Sequence, residues 1–362
     1  MIEIIPAAER TPCLQSAGLP PQECRAYLQA WDAHQAVQGP AAGSGAVSLN
    51  AELQQVQAIC RQGRELLGRL PLKSKRSPQE KAAGQALVHL TADATWRFLA
   101  RHKAALYREL TQEGRRPLRV EELAWAAAAR LPGVLPSQAE LAVESQHLQM
   151  NKDGLEIHQG LFFSQMLSDP AIGTHLLRAM MQPTPQALER LEEFKRSGQV
   201  DLGTVQVEAR GQAGYVHFRN LRYLNAEDEN TLLPWEMAVD LVLLHPDLRM
   251  GVLRGDTVEH PKYKGRRIFS AGINLTRIYK GQQSYLYYLM RDLGFGNKVY
   301  RGLLPRDGAG LAAPGDEPEA TLEKPWVAAV EGFAIGGGCQ LLLIVDYVIA
   351  EAGSYFNLPA RK

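Results

Sequence analysis

Three consecutive glycines, Gly336, Gly337 and Gly338, separate an apolar run, Trp326-Val327-Ala328-Ala329-Val330, from the residues that begin at Cys339. Without a Cβ, such a turn lets the main chain approach a ligand closely. Where it opens a helix it also leaves N–H groups unbonded at the end that favours negative charge. Donors placed in this way stabilise a developing oxyanion. A tight packing turn between strand and helix accounts for the same residues without any chemistry. No Gly-Lys-Ser/Thr follows, so the turn is not a Walker phosphate loop, and its glycines lack the spacing of a dinucleotide fingerprint. A second segment, Phe269-Ser270-Ala271-Gly272-Ile273-Asn274-Leu275, again puts small residues after a predicted strand. Alone it reads as a plain turn.

Metal chemistry has no visible ligand set. The nine histidines are scattered, with no His-x-His or His-Glu-x-x-His, and no two-histidine, one-carboxylate site is readable from their spacing. The four cysteines, Cys13, Cys24, Cys60 and Cys339, are irregularly spaced and read as free thiols in a reducing compartment.

The elements that must hold the two small-residue segments fall into two halves. Residues 1–200 read as mostly α-helical, with helices expected over 51–70 and 78–112 and an apolar face of Leu87, Leu90, Ala94, Phe98 and Leu99. Residues 39–48 read as a flexible connector. From residue 201 the pattern changes. Val205-Gln206-Val207-Glu208-Ala209 and the stretch 213–218 alternate about Arg210-Gly211-Gln212, a predicted hairpin. A helix over 226–244, strands over 250–254 and 268–272, a helix over 282–292, a mobile loop over 305–319 and a buried strand over 326–330 follow. Strands alternating with helices make residues 201–362 an α/β domain.

Hydrophobic residues are 45% and charged residues 22% of the 362, an ordinary globular balance. A net charge of +1 gives no bulk attraction to nucleic acid or an anionic membrane. No apolar run reaches spanning length; the longest, 341–350, contains Asp346. Met1-Ile2-Glu3 lacks the start of a signal peptide, so a cytoplasmic location is expected.

Together the two glycine-containing segments resemble the crotonase (enoyl-CoA hydratase/isomerase) superfamily over 205–362. The resemblance implies a ββα spiral core bearing an acyl-CoA site, preceded here by the helical half. It also implies a C-terminal part of the family fold that is missing from these 362 residues, whether omitted from the sequence or absent from a shortened protein. In that superfamily a small-Gly-small-Asp turn supplies one oxyanion-hole N–H, which falls on Ile273 in Ala271-Gly272-Ile273-Asn274. The glycine turn supplies the other, which falls on Gly337. Residues 220–226 resemble the segment that runs beside coenzyme A. Coenzyme A contacts are accordingly assigned to Arg222, Leu224, His260, Ala271, Gly272, Asn274 and Leu275. His260 and the basic stretch 262–267 could meet coenzyme A phosphates, though a solvated basic loop is the commoner explanation of such a run. Asp346 stands where these enzymes commonly carry an aspartate. Phe356-Asn357-Leu358-Pro359-Ala360 resembles a Phe-x-x-Pro-Glu segment with Ala360 in place of the acid.

Hydratases carry glutamates where this chain has Gln340 and Ala360. An amide is no general base near neutral pH. The missing acids and the added helical half resemble the cofactor-free arylacetyl-CoA dioxygenases of the superfamily, which serve antibiotic biosynthesis. That implies oxidation of 3,5-dihydroxyphenylacetyl-CoA by O2 to 3,5-dihydroxyphenylglyoxylate and free coenzyme A. It further implies no metal or organic cofactor and a homo-trimer or homo-hexamer. Ring hydroxyls are assigned to Glu227, Arg291 and Gln340. Glu227 and Arg291 equally suit dipole complementation at exposed helix ends. Two other readings stay open: a conventional hydratase, isomerase or thioesterase with its base elsewhere, and a non-catalytic acyl-CoA-binding protein.

Overall fold

The computed structural model describes residues 5–36, 48–304 and 321–358. The connector read at 39–48 (Ser48 apart), the loop read at 305–319, and Pro359 and Ala360 lie outside the described residues. Two compact units emerge: residues 1–174 with 279–285, and residues 175–278 with 286–362.

The first unit is helical and centres on a long helix, Pro78–Leu110. Ser77 and Glu80 form a reciprocal capping box at its start and Pro78 occupies the first turn, where its missing N–H costs nothing. Leu87, Leu90, Ala94, Phe98 and Leu99 are all buried, as the helical spacing predicts. Inside this unit Glu52 is buried against His34, His102 and Arg101. Burial alone would raise its carboxyl, but those three partners outweigh burial and hold it well below the usual carboxylate range.

The second unit is built on a six-stranded sheet in the order β1 (Gln199–Asp201), β2 (Val205–Arg210), β3 (Ala213–Phe218), β4 (Met250–Gly255), β5 (Trp326–Val330), then β7 (Tyr347–Ala350). The β2–β3 hairpin is antiparallel and Arg210 pairs with Ala213, which leaves Gly211 and Gln212 as a two-residue turn. From β3 to β7 neighbouring strands are parallel, so each step requires a crossover. The first crossover contains the helix Glu229–Leu244, whose Trp235 stacks on Phe218 with centroids 3.9 Å apart. The helix Pro185–Ser197 belongs with this unit, because Ala187 and Phe194 join the core under the sheet. A division at residue 200 leaves that helix with the first half.

A second, smaller layer positions the site. There β6 (Phe333–Ile335) pairs in parallel with β8 (Tyr355–Asn357) on one side. On its other side β6 takes Ser270, which bridges Ala334, and Ile273 in turn bridges Glu227. The predicted strand over 268–272 therefore exists only as bridges, since its partners are three residues or fewer. The predicted helix over 282–292 also differs. It starts at Tyr285, passes through a π-helical turn at Arg291–Gly296 and resumes over Asn297–Arg301. Periodicity does not mark the wider turn, which often accompanies a functional position.

Candidate functional site

The bridge between Glu227 and Ile273 is parallel. Glu227 N–H donates to the Gly272 carbonyl at 2.7 Å, and Asn274 N–H donates to the Glu227 carbonyl at 2.8 Å. In such a pairing the bridged residue's own N–H points away from the partner chain. The N–H of Ile273 accordingly has no acceptor among the described residues.

Gly337 is the first residue of the short helix Gly337–Leu341, so its N–H has no partner inside the helix. It too lacks an acceptor among the described residues, whereas Gly336 N–H donates to the Asn357 carbonyl at 2.8 Å. The two free donors are brought together through Gly272, which holds φ +77°. A Cβ added there would run into the Ile335 carbonyl oxygen and lie 2.8 Å from the Gly337 nitrogen. Gly338 is equally constrained, because an added Cβ would lie 2.9 Å from the carbonyl oxygen and Cβ of Ser270.

Behind the turn lies an ion pair. Arg291 Nε donates to Glu227 Oε2, and Arg291 Nη2 donates to Glu227 Oε1 at 3.2 Å and to the Gly337 carbonyl at 3.1 Å. Glu227 is 1% exposed and Arg291 7%. The reading of both as charges at exposed helix ends is thereby corrected. Glu227 precedes the cap of its helix and Arg291 opens the π-helical turn, and each is buried against the other. Burial alone would lower the Arg291 guanidinium, and Glu227 outweighs it, so its pKa is raised above the ordinary value. Tyr287, 1% exposed, has its phenol raised first by burial and then by the charge of Glu227, so it stays neutral.

The turn around Ile273 has supports of its own. Ser270 Oγ accepts the Gly272 N–H at 3.0 Å. Asn274 donates to Asp228 Oδ2 at 2.8 Å and accepts the N–H of Thr276 at 3.1 Å. Asn220 donates to the Ala226 carbonyl at 2.7 Å and to Asp228 at 3.3 Å. An aspartate at position 274 would set two carboxylates against each other, which gives a physical reason for asparagine here. Sequence reasoning overlooked Ser270 and Asp228. The signal that could have found Asp228 is the asparagine at a position where the superfamily carries an acid.

The residues assigned to coenzyme A form a partial set. Ala271 N–H donates to the Leu224 carbonyl at 3.1 Å, and both pack on a small cluster of Val258, Ile268 and Phe333. Leu224 has φ +56°, so the chain reverses there. Tyr263 joins the same cluster, and its ring lies 5.8 Å from that of His260. Glu259 N–H reaches the Leu221 carbonyl at 3.4 Å, which brings the His260 loop to the segment bearing Arg222. Arg222 is exposed with its guanidinium over Tyr223, and Leu275 is 75% exposed. Gln340 is exposed, and no contact joins its side chain to Glu227 or Arg291. Asp346 has a structural task, accepting the Trp326 N–H at 2.7 Å at the start of β5. Among the described residues no group of three His, Cys, Asp or Glu side chains is placed to hold a metal ion, and no helix is long and apolar enough to cross a membrane.

Two unbonded main-chain donors, one after a small-residue turn and one opening a short helix, therefore lie on either side of Gly272 on an α/β frame. The sequence profile described as enoyl-CoA hydratase/isomerase matches residues 319–362. The short-chain-enoyl-CoA hydratase of Clostridium acetobutylicum is 27% identical over 161 residues, which cover 44% of this chain and 51% of that protein. The carnitinyl-CoA dehydratase of Salmonella heidelberg is 32% identical over 117 residues, 32% of this chain and 34% of that protein. The chain belongs to the crotonase (enoyl-CoA hydratase/isomerase) superfamily. Within it, the chain is 43% identical over 298 residues to the (3,5-dihydroxyphenyl)acetyl-CoA 1,2-dioxygenase of Amycolatopsis orientalis, 82% of this chain and 67% of that protein. A match of that length necessarily takes in much of the helical half, which the hydratase matches do not require. The chain thus spans about two thirds of the dioxygenase and about half or less of the hydratase relatives.

Proposed function

We propose that this chain catalyses the reaction of 3,5-dihydroxyphenylacetyl-CoA with O2 to give 3,5-dihydroxyphenylglyoxylate and free coenzyme A. The observation that carries the reading is the pair of unbonded N–H groups, Ile273 and Gly337, gathered at Gly272. These donors bind the thioester oxygen and strengthen as it becomes an enolate, which lowers the barrier to losing the Cα proton. Gln340 stands at a hydratase glutamate position and supplies no base for water addition.

The substrate itself supplies the electrons. Its Cα lies between a thioester and an electron-rich ring, so the enolate passes one electron to O2, and the two radicals combine to form a Cα–O bond. The peroxide's outer oxygen attacks the thioester carbonyl and expels the coenzyme A thiolate. O–O cleavage with loss of the remaining Cα proton leaves the α-keto acid. One proton ends on the thiol and one on the carboxyl, so no outside reductant and no metal or organic cofactor is required. Exclusion of water protects the thioester from simple hydrolysis.

Glu227, Arg291 and Gln340 recognise the ring hydroxyls. Arg291 retains an Nη1 hydrogen beyond its bond to Asp292, and each carboxylate oxygen of Glu227 retains a lone pair. Coenzyme A runs along Arg222, Leu224, His260 and the turn from Ala271 to Leu275, with assembly as a homo-trimer or homo-hexamer. The domain division that goes with this reading is a helical N-terminal domain ahead of an acyl-CoA-binding catalytic domain.

Metal-stripped full-length protein is expected to release coenzyme A from the dihydroxyphenylacetyl thioester in air and not under argon, with chelators having no effect. Equal release under argon would make the protein a thioesterase. Activity lost to a chelator and regained with a metal would overturn the cofactor-free mechanism.

A further inference from the structure

Glu227 touches both halves of the oxyanion hole by two different routes. Its main chain brackets Ile273, through the bonds to the Gly272 carbonyl and from the Asn274 N–H. Its side chain holds Arg291, and Arg291 Nη2 donates to the Gly337 carbonyl at 3.1 Å. A Cβ on Gly337 would lie 2.6 Å from Glu227 Oε1 and 3.4 Å from Arg291 Nη2, so the glycine turn rests directly on the ion pair.

We infer that the Glu227–Arg291 pair is a positioning device that fixes the spacing of the Ile273 and Gly337 N–H groups, in addition to any contact it makes with the ring. The inference rests on the enolate reading and deepens it. Two loops that carry the donors come from segments far apart in the chain, and each is short and free of a continuous strand ladder. A buried, forked ion pair is directional and does not relax easily, because opening it leaves the buried Glu227 carboxylate without its Arg291 counter-ion. A ring hydroxyl that bonds to the pair therefore acts on the same atoms that set the hole, and recognition of the ring registers in turnover rather than in affinity alone.

The test separates positioning from ring contact by using a substrate with no ring hydroxyls. Full-length protein under argon in D2O is given phenylacetyl-CoA, and deuterium entry at Cα is followed by mass spectrometry. The wild-type protein is expected to exchange this proton. Glu227→Gln should slow exchange by about 100-fold with phenylacetyl-CoA and by a similar factor with the dihydroxy substrate, the size expected for a small misplacement of catalytic groups. KM for phenylacetyl-CoA, which has no ring hydroxyl to lose, should change little. Arg291→Lys keeps the charge, loses the fork and should act in the same direction. It is read in the same way should Glu227→Gln fail to fold, as judged by thermal melting. Wild-type exchange rates for phenylacetyl-CoA in a folded variant, with only the dihydroxy substrate slowed, would overturn the inference and leave a ring contact alone. If the wild-type protein exchanged neither thioester, the enolate reading itself would fall and this inference with it.

Discussion

Replacing Gly272 with alanine should cut turnover by roughly 10²–10³-fold, the loss that follows removal of one oxyanion donor. Two effects combine at this position. Its φ of +77° is a conformation that L side chains rarely adopt. The new methyl would also strike the Ile335 carbonyl and crowd the Gly337 nitrogen. Relief requires the two turns to part, which moves the Ile273 and Gly337 donors away from a common oxygen. Gly203 provides the control, since it has φ +83° with nothing within 4 Å of an added Cβ. Gly203→Ala should show the backbone strain, about 1–2 kcal/mol, without the catalytic loss. Steady-state kinetics and urea melts on both variants distinguish the contributions. Comparable catalytic losses in the two, or near-normal turnover in Gly272→Ala, would show that the close approach does not shape the hole.

Lys298→Met should destabilise the protein by roughly 3–5 kcal/mol, the range for removing one partner of a buried ion pair. Lys298 is fully buried and its ammonium contacts Glu236 Oε1 at 2.6 Å and Asp240 Oδ1 at 2.7 Å. Asp240 Oδ2 also accepts the Thr184 N–H at 2.7 Å. Methionine fills the stem's volume but takes the ammonium away from the fully buried Asp240 carboxylate. Burial pushes the Asp240 carboxyl above its ordinary value, and Lys298 offsets part of that rise. A carboxyl raised in the folded state favours folding below its unfolded pKa, about 3.9. That contribution is lost as pH rises through the folded value. Removing Lys298 raises the folded value further. The stability gap between variant and wild type should therefore narrow as pH falls from neutrality toward the acid range. Urea titrations across that range check it. A gap under about 1 kcal/mol at pH 7, or one independent of pH, would contradict the account. The cluster also bears on the site. Gly294 packs on the Glu236 carboxylate, and its π-helical turn is the one that Arg291 opens.

The glycine turn at 336–338 was legible as a candidate donor site because its chemistry is local, whereas Ile273 was named only through family resemblance, its own segment reading as a plain turn. Glycine at 272 and at 336–338, set after apolar runs, is a pattern that a few adjacent residues carry. The hairpin was legible for the same reason, since alternation and a two-residue turn are short-range signals. Glu227 and Arg291 were nameable only through family resemblance, and their residue types suggested exposed helix ends. Their pairing joins positions 64 apart, and nothing in either neighbourhood encodes it. Gln340 shows the converse. Its position in the motif is fixed, yet its side chain lies exposed and apart from the ion pair. Segment 268–272 has strand-like residues but only bridging partners, so its extended form depends on β6 and on Glu227. The π-helical turn at Arg291 escaped because one wider turn leaves composition unchanged.

The central claim is that the enolate held at Ile273 and Gly337 reacts with O2 itself. It is tested most directly by turning over 3,5-dihydroxyphenylacetyl-CoA under ¹⁸O2 in ordinary water and weighing the arylglyoxylate. The account predicts that one product molecule acquires both labelled atoms, one at the ketone and one in the carboxylate. A single labelled atom, or none, would contradict it, because water would then have released coenzyme A.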